Sequence, residues 1–300
     1  MRGILSQFAR PEAHWRSRTI GWRSLFSDLA RGVGRPRRLA ENLVALGCDM
    51  IERRLVVVPI SRCVNHYAFP YTVCNGWNYF VDLAREINAL PRVAAEETRC
   101  FRFFQRVSAS HYTDALSFHD PALMSTLPKI PYGSYPWGTL ESEVIPNPRH
   151  FHDRRTQLSS HVCIWYDKGS RTRTALFAEY EKFRRMLDSL KHGYRPALSR
   201  GICPTVRLLV SISGDVRFLA EDGDHRLSVL AALGHENVCV RVAGSPVCES
   251  EVEEWAYVRG KLLSGADAAR VFRLYFELTG TERAIAAGIS PLYHSSGLSA

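Results

Sequence analysis

The most regular alternation of apolar and polar positions lies in the C-terminal half of the chain. From about residue 174, apolar residues recur at spacings of four and three, namely Leu176, Tyr180, Phe183, Leu187 and Leu190. This spacing places an apolar stripe along one side of an amphipathic helix, where it can face the core. Gly193 stands where a left-handed helix cap belongs, so we expect the helix to end there.

Beyond this helix, the spacing of apolar residues alternates between the period of a strand and that of a helix. It predicts a strand over 206–212, a returning strand over 216–220, a helix over 225–233 and a strand over 238–242. Gly214 predicts the turn of the hairpin, and Gly234 the end of the short helix. Two further helices are expected, one over 251–263 and one capped by Ser264.

The N-terminal half carries weaker patterns. A short helix is predicted over 39–46, a strand over 55–60, and helices over about 78–89 and 94–106. Residues 120–150 contain proline at a density that prevents regular helix and central strand, so they predict a long loop or lid between two lobes. Three aromatic side chains of this loop either pack on the core or stack on a base or sugar: Tyr132, Tyr135 and Trp137.

The first 40 residues form a distinct basic segment. They hold many arginines and few acidic residues, and Trp22, Leu25, Phe26 and Leu29 recur at helical spacing. A basic amphipathic helix of this kind lies on an anionic membrane or docks on the body of its own protein. An organellar transit peptide has a similar composition, and the sequence leaves these three readings open.

Charge and composition narrow the class of protein. The chain has 300 residues, an apolar share of 46% and a formal net charge of +9. A basic surplus carried largely by arginine favours nucleic acid, an anionic membrane or a phosphorylated small molecule as partner, although it also serves solubility. The eight cysteines show no Cys-x-x-Cys spacing, which indicates buried thiols in a reducing compartment. With no secretory or membrane-spanning segment in sight, we expect a cytoplasmic protein that is soluble or peripheral to the membrane.

The strongest candidate for chemistry is the run Asp222-Gly223-Asp224-His225-Arg226, between a predicted strand and a predicted helix. Gly223 permits a sharp turn or the close approach of a ligand. The first turn of a helix favours an anion. Arg226 can hold two phosphate oxygens, and His225 can donate a hydrogen bond or move a proton. Asp222 and Asp224 are candidates to hold Mg²⁺ or to activate an acceptor hydroxyl.

A purely structural interpretation of the same run is also open. In it, Asp222 caps the helix, His225 packs in the interior, and Arg226 pairs with Glu221 or Glu236 at the surface.

The order of these elements resembles the ParB/sulfiredoxin superfamily. The likeness rests on Gly193-Tyr194-Arg195-Pro196, the hairpin 207–220, the run Asp222 to Leu227, the Leu233-Gly234 helix end and the strand 238–242. It covers roughly residues 175–245. The resemblance implies nucleotide binding, with the phosphates contacted by Gly223, His225 and Arg226. Asp224 stands where sulfiredoxins place their reactive cysteine, so the free-serine kinase branch is the nearest in kind.

Pattern and resemblance together predict an α+β protein with a ParB/sulfiredoxin-like core in the C-terminal half and a mainly helical N-terminal lobe. The expected parts are a basic segment at 1–40, a helical lobe at 41–150, a core with C-terminal helices at 151–280 and a tail at 281–300. The expected ligands are ATP or ADP, or CTP, with Mg²⁺. The expected activity is phosphoryl transfer to a small metabolite; the alternative is a nucleotide-gated module that binds DNA or protein without turnover.

Two further pairs of residues are weaker candidates for chemistry. His150 and His152 alternate and would share a strand face as metal ligands, although no third ligand is evident. Glu179 and Glu181 lie on the helix before the site and could supply a catalytic carboxylate, although solvent-facing charges on a helix are the commoner explanation.

Overall fold

The computed structural model describes residues 55–72, 76–131, 134–138, 170–191 and 203–290. All of them belong to one compact unit, Met50–Ala300. The basic segment 1–40, the expected helix 39–46, the cap at Gly193 and the pair His150 and His152 lie outside the described residues.

A mixed six-stranded sheet forms the centre of this unit. Its order is β1-β5-β3-β4-β2, and β6 also pairs with β3. β3 runs antiparallel to β4 and parallel to β5, while β1 runs antiparallel to β5. The strands are β1 Leu55–Pro59, β2 Cys63–Val64, β3 Thr205–Val210, β4 Val216–Asp222, β5 Asn237–Val242 and β6 Val247–Cys248.

Helices accompany this sheet along the whole described chain. They are α1 Tyr79–Ala89, α2 Arg99–Arg106, α3 Tyr112–Ser117, α4 Pro121–Thr126, α5 Ser170–Lys191, α6 Asp224–Ala232, α7 Ala256–Arg259, α8 Gly265–Glu277 and α9 Thr281–Ala286. Short 3₁₀ helices cover Ile60–Arg62, Ala95–Glu97 and Glu249–Glu254. Helices together with a mixed sheet confirm the α+β class. Among the described residues, none of these helices combines the length and apolar character that crossing a bilayer requires.

The strongly patterned segments form the elements that the sequence predicts. The stripe of α5 buries Leu176, Tyr180, Phe183 and Leu187. β3 and β4 form the hairpin, and Gly214 adopts the left-handed conformation (φ 86°) at its turn. Ser264 caps α8 by accepting a hydrogen bond from the Asp267 N–H at 3.0 Å.

Two predicted helices are interrupted by a residue with extended backbone. The segment 94–106 divides at Thr98 (ψ 149°), whose side chain accepts a hydrogen bond from the Phe101 N–H and so begins α2. The segment 251–263 divides at Trp255 (ψ 143°), which is buried against Phe272. In both cases a capping or buried side chain outweighs the local helical pattern.

The expected loop over 120–150 contains a helix, α4. Asp120 caps it by accepting hydrogen bonds from two N–H groups at 3.0 Å. Pro121 occupies the first position of the helix, where the backbone N–H that proline lacks would have no partner within the helix. Further along, the Trp137 ring centroid lies 5.6 Å from that of Trp255 and 5.5 Å from that of Phe272. Trp137 therefore packs on the core.

The expected division into a lobe at 41–150 and a core at 151–280 is not what the structure shows. β1 and β2 belong to the same sheet as the C-terminal strands. α1 packs against both α5 and α6. The apolar run of β1 finds its hydrogen-bond partner in β5, far along the chain, so the two halves share one core.

Residues 281–290, expected as part of a tail, are also integrated into the fold. α9 carries Arg283, which is fully buried. Its Nη1 donates to the Tyr67 carbonyl at 2.5 Å and its Nη2 to the Ala68 carbonyl at 2.8 Å. The guanidinium also lies 3.5 Å from the centroid of the Phe69 ring. Ala68 has a positive φ of 57°, so Arg283 stabilises a strained turn.

Replacing Arg283 by methionine is expected to lower the free energy of unfolding by about 3–5 kcal/mol. Two buried carbonyl groups lose their donors, and the cation–π contact disappears. Urea unfolding followed by circular dichroism measures the change. Arg270→Ala, an exposed position on α8, is the control and should cost less than about 0.5 kcal/mol. Similar losses in the two variants would contradict a structural role for Arg283.

Candidate functional site

The candidate site lies where β4 ends and α6 begins. Gly223 joins the two elements with φ 86° and ψ 20°, a left-handed conformation that favours glycine. A Cβ atom at this position would lie 2.8 Å from the Cα of Pro204 and 2.9 Å from its Cβ. The sequence offers two reasons for this glycine, a sharp turn and the close approach of a ligand. The structure shows the sharp turn. The close neighbour that excludes a side chain is Pro204, a residue of the protein itself.

The two aspartates beside Gly223 have different environments. Asp222 is exposed, and its Oδ1 accepts a hydrogen bond from the Gly223 N–H at 2.7 Å. Asp224 is buried, and its Oδ1 accepts a hydrogen bond from the Tyr71 hydroxyl. Burial, together with the charge of Asp224, raises the pKa of Tyr71 well above its usual value, so the phenol keeps the proton that it donates. Of the two carboxylates, Asp222 is the one that reaches solvent.

His225 lies in the first turn of α6 and contacts Glu179 of α5 through Nε2. The Glu179 side chain is completely buried, whereas the imidazole keeps 21% of its surface exposed. Its ring centroid lies 5.4 Å from that of Phe80 and 5.2 Å from that of Phe183. The second oxygen of Glu179 accepts a hydrogen bond from Lys182 Nζ at 2.7 Å.

This contact bears on the two roles that the sequence gives to His225. A carboxylate at Nε2 repels a phosphate group from that nitrogen, because both carry negative charge. The same carboxylate orients the imidazole and provides a counter-charge when the ring takes up a proton. The geometry therefore favours proton transfer by His225 over phosphate binding through Nε2.

Of the two carboxylates predicted on α5, only Glu179 points into the site. Glu181 is exposed and lies 3.4 Å from Arg184 in an ordinary surface ion pair. Its position on the solvent side agrees with the commoner explanation for charges on this helix.

Arg226 follows His225 in the first turn and is partly buried. The structural interpretation pairs it with Glu221 or Glu236. Glu221 forms an ion pair with Arg207 on the neighbouring strand, at 2.5 Å between Nε and Oε1. Glu236 is exposed beyond the other end of α6.

Metal binding by the protein alone finds no support in the part of the chain that the structure describes. Within those residues, no group of three or more His, Cys, Asp or Glu side chains could hold an ion. Mg²⁺, however, usually binds through one or two carboxylates together with substrate phosphates. The exposed carboxylate of Asp222 is compatible with that mode.

Sequence reasoning missed two residues of the site. Lys182 stands three residues after Glu179, the spacing of neighbours on a helix surface, so this pair could have been found. Tyr71 is 153 residues away from Asp224 along the chain, and no local pattern announces their contact.

Comparison of the chain with protein-family models, with curated proteins and with solved structures finds no significant match. The resemblance to the ParB/sulfiredoxin superfamily stays a prediction from the sequence.

Two glycines with the same backbone conformation offer a matched test of the turn. Gly214 and Gly223 both have φ 86°, but a Cβ on Gly214 meets nothing within 4 Å. Gly214→Ala should lower the free energy of unfolding by about 1 kcal/mol, from backbone strain alone. Gly223→Ala should lower it by about 2–4 kcal/mol, because the methyl group also displaces Pro204. Urea denaturation measures both, and equal losses would refute the role of Pro204.

Proposed function

We propose that this protein binds a nucleotide at the N-terminal end of α6 and transfers a phosphoryl group from it to the hydroxyl group of a small metabolite. The observation that carries the proposal is the contact of His225 with the buried carboxylate of Glu179, in the first turn of that helix.

The anion-binding part of the proposal rests on the helix end. The first turn of an α-helix directs backbone N–H groups and partial positive charge toward its N-terminal side, where a phosphate is favoured. Arg226 adds a guanidinium suited to two phosphate oxygens. The formal net charge of +9 is consistent with anionic ligands.

The transfer step assigns the acid–base work to His225. The acceptor hydroxyl oxygen forms a bond to the terminal phosphorus of the nucleotide, and the bond from that phosphorus to its bridging oxygen breaks. The imidazole takes the hydroxyl proton at Nδ1, the ring nitrogen opposite the Glu179 contact, while Glu179 holds the ring through Nε2. Phe80 and Phe183 pack beside the ring and limit its movement. The shortened nucleotide leaves as the second product.

Magnesium enters the proposal only with the nucleotide. We assign the ion to Asp222, because this carboxylate is exposed beside the turn. Asp224 is buried and bound by Tyr71, so we assign it to positioning the start of α6. Bound Mg²⁺ would neutralise charge on the phosphate oxygens.

The proposal predicts that a nucleotide stabilises the full chain. ATP, ADP, CTP and GTP, each with Mg²⁺, are compared by thermal shift. A ligand at 100 times its dissociation constant adds about 2.7 kcal/mol, which raises the melting temperature by several degrees. Arg226→Ala should abolish the shift. Arg184→Ala, an exposed arginine on α5, is the matched control and should keep it.

Glu179→Gln separates binding from transfer. The amide keeps the shape of the side chain but removes its charge, so we expect the nucleotide shift to persist. Phosphate transfer to a pool of hydroxylated metabolites should fall by about 10²–10⁴-fold, the usual contribution of acid–base catalysis. His225→Ala should lose transfer to a similar extent.

Three results would overturn the proposal. The binding site is wrong if none of the four nucleotides raises the melting temperature, or if Arg226→Ala keeps the rise. Nucleotide binding without transfer, joined to salt-sensitive binding of DNA, would replace the kinase by a nucleotide-gated module.

A further inference from the structure

Two cysteines outside the candidate site stand side by side on neighbouring strands. β3 pairs with β5 in parallel register, with Thr205 opposite Arg241. The Pro204 carbonyl accepts a hydrogen bond from the Arg241 N–H at 2.8 Å, which extends the pairing beyond the start of β3. Two residues further back on each segment stand Cys203 and Cys239. Cys239 lies within β5 and Cys203 two residues before β3, so continuing the register sets the two residues beside each other.

The distance between such positions suits a disulfide. Neighbouring strands lie about 4.8 Å apart, and disulfides join Cα atoms that are roughly 4.4–6.8 Å apart. The Cys203 thiol also contributes to the electrostatic environment of the Cys239 thiol, as expected of close neighbours. Both residues are free cysteines, as are Cys63, Cys100 and Cys248 among the described residues.

We propose that Cys203 and Cys239 are a reversible oxidation site, which hydrogen peroxide converts into an intramolecular disulfide. This inference is independent of the proposed function. Each residue keeps 8% of its surface exposed, and the proposal requires hydrogen peroxide to reach the pair from that side.

The oxidation proceeds in two steps, each of which releases one water. Burial, with a further contribution from the Cys203 thiol, raises the pKa of Cys239 to about 12. Cys239 therefore keeps its proton at neutral pH, and the step is written with Cys203 as the thiol that peroxide oxidises. The sulfur takes one oxygen to become a sulfenic acid, and one water leaves. The Cys239 sulfur then bonds to the Cys203 sulfur, and the departing hydroxyl leaves with the Cys239 proton as a second water.

The disulfide would form next to the turn that begins α6. Cys203 precedes Pro204, the residue that lies against Gly223. A disulfide between residues 203 and 239 also closes a long loop of chain that contains β3, β4 and α6. Closing such a loop restricts the unfolded chain, so the oxidised protein should be the more stable form.

Peptide mapping of the full, folded chain tests the proposal. The native protein is treated with hydrogen peroxide, blocked with a thiol reagent, denatured and digested with trypsin. Cleavage after arginine gives the peptides 201–207 and 227–241, which contain Cys203 and Cys239 as their only cysteines, while Cys248 falls in the next peptide. We expect these two peptides to be joined in the non-reduced digest and separated by dithiothreitol.

A second measurement follows the stability of the oxidised chain. The melting temperature should rise by roughly 5 °C or more on oxidation and return on reduction. Cys203→Ala and Cys239→Ala should lose both the joined peptide and the rise. Cys248→Ala, a buried cysteine of β6, is the matched control and should keep both.

The proposal fails if the folded native chain consumes peroxide without yielding the joined peptide. It also fails if the two peptides join only after urea has unfolded the protein. Because both results come from the unaltered chain, they hold even where a cysteine variant does not fold.

Discussion

The packing of the helices beside the sheet depends on one buried carboxylate, that of Glu179. Glu179 exposes none of its side chain, and a buried charge without partners costs several kcal/mol. His225 and Lys182 approach its two oxygens and compensate this cost. Since Glu179 belongs to α5 and His225 to α6, the requirement fixes how the long helix meets the short one. The rings of Phe80 and Phe183 pack around the imidazole and complete the arrangement.

The same arrangement gives the first turn of α6 its chemical character. Gly223 sets the direction in which the helix leaves β4, and Pro204 leaves no room for a side chain there. Asp224 is drawn inward by Tyr71, whereas Asp222 stays at the surface. Two carboxylates that are equivalent in the sequence are therefore separated by burial. Only one of them remains available to a ligand from solvent.

Elements with strong local signals follow directly from the sequence. The stripe of α5, the turn at Gly214 and the cap at Ser264 each depend on residues within a few positions of one another, and each is observed. Local signals failed where a single residue obeys a distant constraint. Trp255 interrupts a helical pattern because its ring is buried against Phe272.

The candidate site was predictable in part for the same reason. The run from Asp222 to Arg226 identifies the helix start from neighbouring residues alone. The partners that set its chemistry, Glu179 and Tyr71, come from segments 46 and 153 residues away. Glu179 was predicted only as one of two carboxylates on its helix. Helical spacing separates the two, because Glu179 lies four residues before Phe183 of the apolar stripe and Glu181 lies on the other side. Burial in the packed fold agrees with that spacing.

The contact between Arg283 and the Tyr67 carbonyl carries a consequence for biosynthesis. The two residues are 216 positions apart, and β1 likewise waits for β5 to complete its pairing. A chain emerging from the ribosome exposes the apolar residues of β1 and α1 long before their partners are translated. Folds that depend on such distant pairs form slowly and expose surfaces prone to aggregation. The nascent N-terminal half therefore keeps apolar surface exposed until α9 has left the exit tunnel.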